Sequence, residues 1–267
     1  MKLLHRLQNS CRRSGLLGTI AICGRALLFY AKEQTPSRRR GRQRQHERDA
    51  EFDRRFGVKT GGNIDLVDMT VLPTPSRTFG RGYQATSETI FAQMLSVIPA
   101  DLENFIFVDF GSGLGRVLLL ASEHPFRAIR GVEFSPDLHK IACDNIYSYR
   151  SHTQKCRDVA SMCQDAAEYT IPEGDVVFYF YNPFHAPVMT RVMQNIQHSL
   201  HQNPREAYLI YYNPVARKII ERSPVFRLIA EAPTYCVYHS ITHAAPSGNR
   251  ECGEAFEPWP QRGQLPR

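Results

Sequence analysis

From residue 86 to residue 222 short apolar runs alternate five times with amphipathic segments, a pattern that few folds accept. The runs 105-FIFVDF-110, 128-AIRGVEF-134, a weaker one around Ala160–Cys163, 175-DVVFYFYNPF-184 and 207-AYLIYYNP-214 have the length of buried strands. Helical spacing appears at 86–99, 115–123, 135–149, 187–200 and 215–222, with Ser135-Pro136-Asp137 forming a helix start. In 86–99 the apolar positions Ile90, Phe91, Met94, Leu95 and Ile98 follow a Ser/Thr cap candidate. Strand alternating with helix predicts a mostly parallel α/β sheet, and 225–233 with 235–241 would close it as an antiparallel pair. Ligands of such sheets bind at the carboxyl ends of the strands. That rule directs attention to Asp109–Gly115, Glu133, Asp165 and Asn182–Phe184.

Charge divides the chain. The net charge is +7, yet residues 1–59 hold fifteen Lys/Arg against five Asp/Glu, so the remainder sums to −3. A near-neutral folded part argues against a broad basic nucleic-acid groove. The run 15–31 is apolar but short for a membrane span and carries Arg25 near its middle. The readings of this leader are a basic extension, membrane-surface or other anionic-surface contact, and organelle targeting by residues 1–32. The stretch 36–57 is too polar to bury a core and reads as a solvated linker. The expected organisation is a flexible basic leader over 1–59, a helical cap over 60–104, a core over 105–242 and a flexible tail over 243–267.

Seven cysteines, with no CxxC among them, form neither a disulfide framework nor a zinc site. Cys143 and Cys163 read as buried reduced thiols, which suits a cytoplasmic chain. His198 and His201 lack a third ligand, so no metal is expected. Neither a G-x-S-x-G nor a P-loop sequence occurs.

The loop after the first strand, 109-DFGSGLG-115, has the spacing G-x-G-x-G and not G-x-G-x-x-G. Its glycines let backbone N–H groups approach a ligand. Asp109 before it repels a pyrophosphate and suits a cationic or neutral polar group. Glu133 can accept from two ribose hydroxyls, and Asp165 from an adenine amino group. At 181-YNPF-184, Asn182 and Pro183 offer carbonyl acceptors and Phe184 a ring beside them; a plain strand-ending turn is the other reading. Tyr-Asn-Pro recurs at 212–214, where the turn reading is preferred.

Taken together, 107-FVDFGSGLGR-116, 131-GVEFSPDLHKIACDNI-146, 164-QDA-166 and 179-YFYNPF-184 resemble the class I S-adenosylmethionine-dependent methyltransferases over residues 80–242. The resemblance implies a Rossmann-like seven-stranded sheet with an antiparallel terminal strand and helices on both faces. It implies that Asp109, Gly111, Ser112, Gly113 and Gly115 hold the methionine moiety of S-adenosyl-L-methionine, Glu133 the ribose, and Asp165 with Ala166 the adenine. The resemblance also implies that Tyr83 and Thr86, in 83-YQATSET-89, belong to an N-terminal segment that covers the cofactor. Asn182, Pro183 and Phe184 are similar to the (Asn/Asp/Ser)-Pro-Pro-(Tyr/Phe) motif of N-methylating enzymes, with the second proline absent here. The loop also resembles that of the Dot1-like protein-lysine methyltransferases, which favours a protein amine over nucleic acid or a small molecule as acceptor. The alternatives are a nicotinamide-dependent oxidoreductase and a non-catalytic S-adenosylmethionine-binding module.

Overall fold

The computed structural model describes residues 35–65, 70–74, 80 and 82–241. Residues 1–34 and 242–267, on which the leader and tail expectations rest in part, lie outside the described residues. Seven strands form the main sheet: β3 (Ile106–Phe110), β4 (Ala128–Glu133), β5 (Val159–Cys163), β6 (Val176–Tyr181), β7 (Ala207–Tyr212), β8 (Phe226–Ala232) and β9 (Tyr235–Ser240). Their order is β5-β4-β3-β6-β7-β9-β8. The first five are parallel, whereas β9 runs antiparallel to both β7 and β8. This is the Rossmann-like α/β fold with an antiparallel terminal strand. A separate two-residue pairing joins β1 (Asn63–Ile64) to β2 (Tyr83–Gln84).

Alternation along the central strands builds two cores, because successive side chains point to opposite faces. Val108, Phe110, Phe178, Phe180, Leu209 and Tyr211 pack on one face beneath α5 (Ala186–Gln202) and α6 (Arg217–Glu221). Phe107, Val177, Tyr179, Tyr208 and Ile210 pack on the other, with residues of α2 (Glu88–Leu95) and α3 (Arg116–Ser122). The last strand, β9, sits inside the sheet because Cys236 and Tyr238 bury on one face and Val237 on the other. Largely exposed β8 takes the edge and is irregular between Leu228 and Ala230, which limits further pairing. The remaining helix of the Rossmann layer, α4 (Pro136–Ser148), begins where the Leu138 N–H donates to Ser135 Oγ and Pro136 needs no donor.

Two expectations are corrected. The supposed linker is an α-helix, α1 (Pro36–Phe56), ended by Gly57 in the left-handed region at φ 67°. Its partner is Arg116, which is 2% exposed at the start of α3. The Arg116 guanidinium lies 3.8 Å over the Phe52 ring and pairs with Asp53 at 3.4 Å and Asp49 at 3.6 Å. Asp53 also accepts from the Thr60 and Gly61 N–H groups, and Asn145 of α4 bridges Lys59 to the Leu114 carbonyl. The helix is thus fixed to the sheet side by two aromatic residues, Phe52 and Phe56, and a buried polar cluster, not by a continuous apolar stripe. The second correction is Cys143, which is exposed on α4, while Cys163 is half-buried; among the described residues the buried thiols are Cys156 and Cys236. Among the described residues no helix is long and apolar enough to cross a membrane.

Candidate functional site

Strand order reverses between β3 and β6, and the crevice outside their carboxyl ends is where such sheets bind ligands. A cavity of about 360 Å³ lies there, within the usual size of small-molecule sites. Asp109, Gly111, Ser112, Gly113, Glu133, Asp165, Ala166, Tyr83, Thr86, Asn182, Pro183 and Phe184 all line it. The remaining candidate, Gly115, does not; it caps α3 at φ 83° and packs against Ala142.

The loop after β3 departs from a phosphate cradle. The Gly111 and Ser112 N–H groups both donate to the Val132 carbonyl, and the Gly113 N–H donates to Glu133 Oε2 at 2.8 Å. These donors bind the loop to β4 and its end instead of pointing at a ligand. Glycine is needed at 113 for two reasons: φ is +54°, and an added Cβ would lie 2.0 Å from the Tyr83 ring. The Gly113→Ala variant is therefore expected to lose about 1–3 kcal/mol of stability and to push Tyr83 off the loop. A denaturant titration and the fluorescence of the variant read both effects, and an unchanged midpoint would refute the close packing.

Two carboxyls sit at the centre. Asp109 is 2% exposed and Glu133 is 3% exposed. Burial pushes the Asp109 carboxyl well above the usual carboxylate range, and the Glu133 charge pushes it the same way. Burial also raises Glu133, to about 7, against the lowering effect of the N–H groups of Ser135 and Gly113. Each Glu133 oxygen accepts one of those two N–H groups, at 2.8 Å, which leaves lone pairs on both. The Ser112 hydroxyl is buried with no hydrogen-bond partner among the described residues. The wall is therefore short of cations and holds an unpaired hydroxyl, so it fits a ligand carrying positive charge and donors.

Around this centre the other candidates are held by local bonds. Asp165 Oδ1 accepts from the Ala167 N–H and so starts the short 3-10 turn Ala166–Glu168. Tyr83 donates to the Thr60 carbonyl at 2.6 Å, and Thr86 Oγ1 lies 3.0 Å from the Tyr179 hydroxyl. Asn182 adopts φ 41°, in the left-handed region that asparagine tolerates better than most residues. Tyr211 donates to its Oδ1 at 3.4 Å. Phe184 belongs to the core under α5 and forms an antiparallel bridge with Gly80, which brings Gly80 to the cavity wall.

Several lining residues were not expected from the sequence: Arg116, Phe134, Gln164, Tyr179, Tyr181 and Asn213. Arg116 directly follows the glycine loop, and that adjacency was an available signal. Tyr179 and Tyr181 alternate on β6 and could have been placed by period two. Asn213, assigned above to a plain turn, reaches the same cavity.

No protein-family model matches the chain, and no curated protein matches it. Among solved structures it is similar to an RNA methyltransferase from Salinibacter ruber with bound S-adenosyl-L-homocysteine, at 21% identity and TM-score 0.41, over 62% of this chain and 99% of that one. It is similar to a ribosomal protein L11 methylase from Lactobacillus delbrueckii subsp. bulgaricus at 13% identity and TM-score 0.43, over 60% and 82%. A third is magnesium protoporphyrin IX methyltransferase from Synechocystis, at 14% identity and TM-score 0.40, over 58% and 77%. At these scores the likeness carries no functional argument.

Proposed function

We propose that this chain is an S-adenosylmethionine-dependent methyltransferase that acts on an amine nitrogen, most readily a protein side chain. One observation carries the cofactor assignment: a buried carboxyl, Asp109, faces a cavity whose loop N–H groups are already used by the protein. A pyrophosphate would meet a carboxylate there, with the N–H groups of Gly111, Ser112 and Gly113 already engaged, which disfavours a nicotinamide dinucleotide. A sulfonium with an ammonium group and ribose hydroxyls meets complementary partners in Asp109 and Glu133.

When bound, S-adenosylmethionine supplies a methyl carbon on a sulfonium, and the electron pair of the broken C–S bond leaves with sulfur. The chain's own part is positioning and charge complementarity. Asp109 holds the cationic end, Glu133 the ribose, and Asp165 with Ala166 the adenine edge. Tyr83 and Thr86 close the wall against water. The Asn182 carbonyl oxygen has a second lone pair beyond its bond from Tyr211, and with the Pro183 backbone it orients the N–H of the incoming nitrogen. Phe184 closes the floor beneath it. The acceptor nitrogen would first give a proton to water, and the lone pair so freed would form the N–C bond as the C–S pair leaves with sulfur. An amine acceptor is supported by the excess of lining carboxyls over cations: Asp65, Asp109, Glu133 and Asp165 stand against Arg116, which is itself paired with Asp49 and Asp53.

Incubation of the full chain with methyl-labelled S-adenosylmethionine and a lysate of the source cell tests this reading. Label is expected in material that protease digests and nuclease does not. Label in RNA alone would overturn the amine acceptor, and a thermal shift with NAD but not S-adenosylmethionine would overturn the cofactor.

Titration of Glu133 gives a second expected result. Its folded value is raised above that of the unfolded chain, so its contribution to stability is fully present at low pH. That contribution falls as pH rises through about 7. Cofactor binding has the opposite sign, because ribose hydroxyls donate to the ionised form. Affinity should rise about tenfold between pH 6 and pH 8, with proton release on binding. Calorimetry in two buffers of different ionisation enthalpy measures both, and a flat profile without proton release would remove Glu133 from the site.

A further inference from the structure

The motif Tyr-Asn-Pro occurs twice, and the fold brings the two copies side by side. Tyr181 ends β6 and Tyr212 ends β7, and the two residues are direct partners in the parallel register. Neighbouring strands lie about 5 Å apart, so Asn182 and Asn213 occupy adjacent positions at the same end of the sheet. Both are the only non-glycine residues with positive φ among the described residues, at 41° and 51°. Both line the cavity. The rings of Tyr181 and Tyr212 pack at 4.3 Å between centroids, and the Tyr181 hydroxyl donates to Gln84 Oε1 of β2.

The two asparagines differ in what remains free. Asn182 is buried, and its side-chain oxygen is engaged by Tyr211. Asn213 is exposed; its N–H donates to the Thr234 carbonyl and its own carbonyl accepts from the Val215 N–H. Its backbone is therefore fully committed, and its side-chain amide makes no hydrogen bond among the described residues. An open carboxamide at the outer side of a carboxyl-lined cavity, beside a pair of tyrosine rings, suits a cation on an apolar stem.

Resting on the methyltransferase reading, we infer that Asn213 is a second acceptor-binding residue and that the acceptor is a lysine-like side chain. Its ammonium group approaches between the two Asn-Pro turns, where the Asn213 side-chain oxygen accepts one N–H. Its methylene stem lies along the Tyr181–Tyr212 pair, as apolar stems of lysine cover aromatic surface while the charged head stays polar. Asp65 at the cavity wall adds charge of the favourable sign. Phosphate-bearing acceptors are repelled by the same carboxyls.

Substitution to glycine separates this role from strand termination, because glycine keeps the left-handed backbone and removes only the amide. The experiment measures binding of Nα-acetyl-L-lysine amide to the full chain saturated with S-adenosyl-L-homocysteine, by calorimetry at pH 7. Asn213→Gly is expected to weaken it about tenfold, while affinity for S-adenosyl-L-homocysteine stays within twofold. Asn213→Asp, which also tolerates positive φ, is expected to bind the probe more tightly than the parent. Methylammonium, which lacks the stem, should bind at least tenfold more weakly than the lysine amide. Equal affinity of the parent and Asn213→Gly for the lysine amide would overturn the inference, as would failure of the homocysteine-loaded parent to bind it. Failure to bind S-adenosyl-L-homocysteine at all would instead remove the cofactor reading, and this inference with it.

Discussion

Replacement of Asp109 by asparagine is expected to leave the protein folded and more stable at neutral pH, yet to weaken S-adenosylmethionine binding about 100-fold. The two effects have one cause. Asp109 is buried, and both its burial and the nearby Glu133 penalise its charged form, so it is a liability in the free protein. An isosteric amide removes that penalty. It also removes the anion that a sulfonium or ammonium group would pair with, and a hydrogen bond to a charged partner is worth about 1.5–3 kcal/mol. The gain in stability should be larger at pH 8 than at pH 5, since the penalty of the raised folded value opens above the ordinary carboxylate range, where the unfolded chain ionises, and grows until the folded carboxyl ionises too. Thermal unfolding at both pH values, paired with cofactor calorimetry, reads the two signs separately. A variant that loses stability and keeps its affinity would show that Asp109 is a structural residue and that the cation lies elsewhere.

The second large effect is expected at Arg116, the cavity-lining residue that ties α1 to the start of α3. Arg116→Met should cost about 3 kcal/mol or more, because it leaves the buried Asp49 carboxyl without its cationic partner and removes that of the half-buried Asp53. Asp49 is 5% exposed, and burial already holds its carboxyl above the usual range in spite of the arginine. Loss of the guanidinium also removes the contact over the Phe52 ring and the bond from Nε to Thr60 Oγ1. Thr60 carries the carbonyl to which Tyr83 donates, so release of α1 should loosen the cavity wall as well. Urea unfolding followed by circular dichroism measures the cost, and limited proteolysis at Arg54 and Arg55 reports the helix. The triple variant Asp49→Asn, Asp53→Asn, Arg116→Met should recover part of the loss, because no buried charge is then left without a partner. If the single variant loses less than about 1 kcal/mol, the helix is held by Phe52 and Phe56 and not by the ion pairs.

The position of the candidate site, the cavity these residues line, was legible because a parallel sheet places loop residues by topology alone. Asp109, Glu133, Asp165 and Asn182 lie far apart in sequence, yet each follows an apolar run. Runs buried on both faces leave their carboxyl ends at one edge of the sheet. The partners of these residues were not legible. Whether the loop N–H groups face a ligand or the Val132 carbonyl depends on the register of β3 against β4, which no local pattern encodes. For the same reason Asn213 reads as punctuation until β7 is placed beside β6.

Local periodicity by itself determined the strands, most helices and the edge at which the cavity lies, because buried apolar surface outweighs every competing local preference there. Tertiary structure alone decided the fate of 36–57. That segment lacks an apolar stripe, and its spacing of Asp49, Phe52, Asp53 and Phe56 acquires meaning only opposite Arg116. A buried ion pair is stabilised by a partner distant in sequence, and the free energy of that pairing belongs to the geometry between two segments and to neither segment alone.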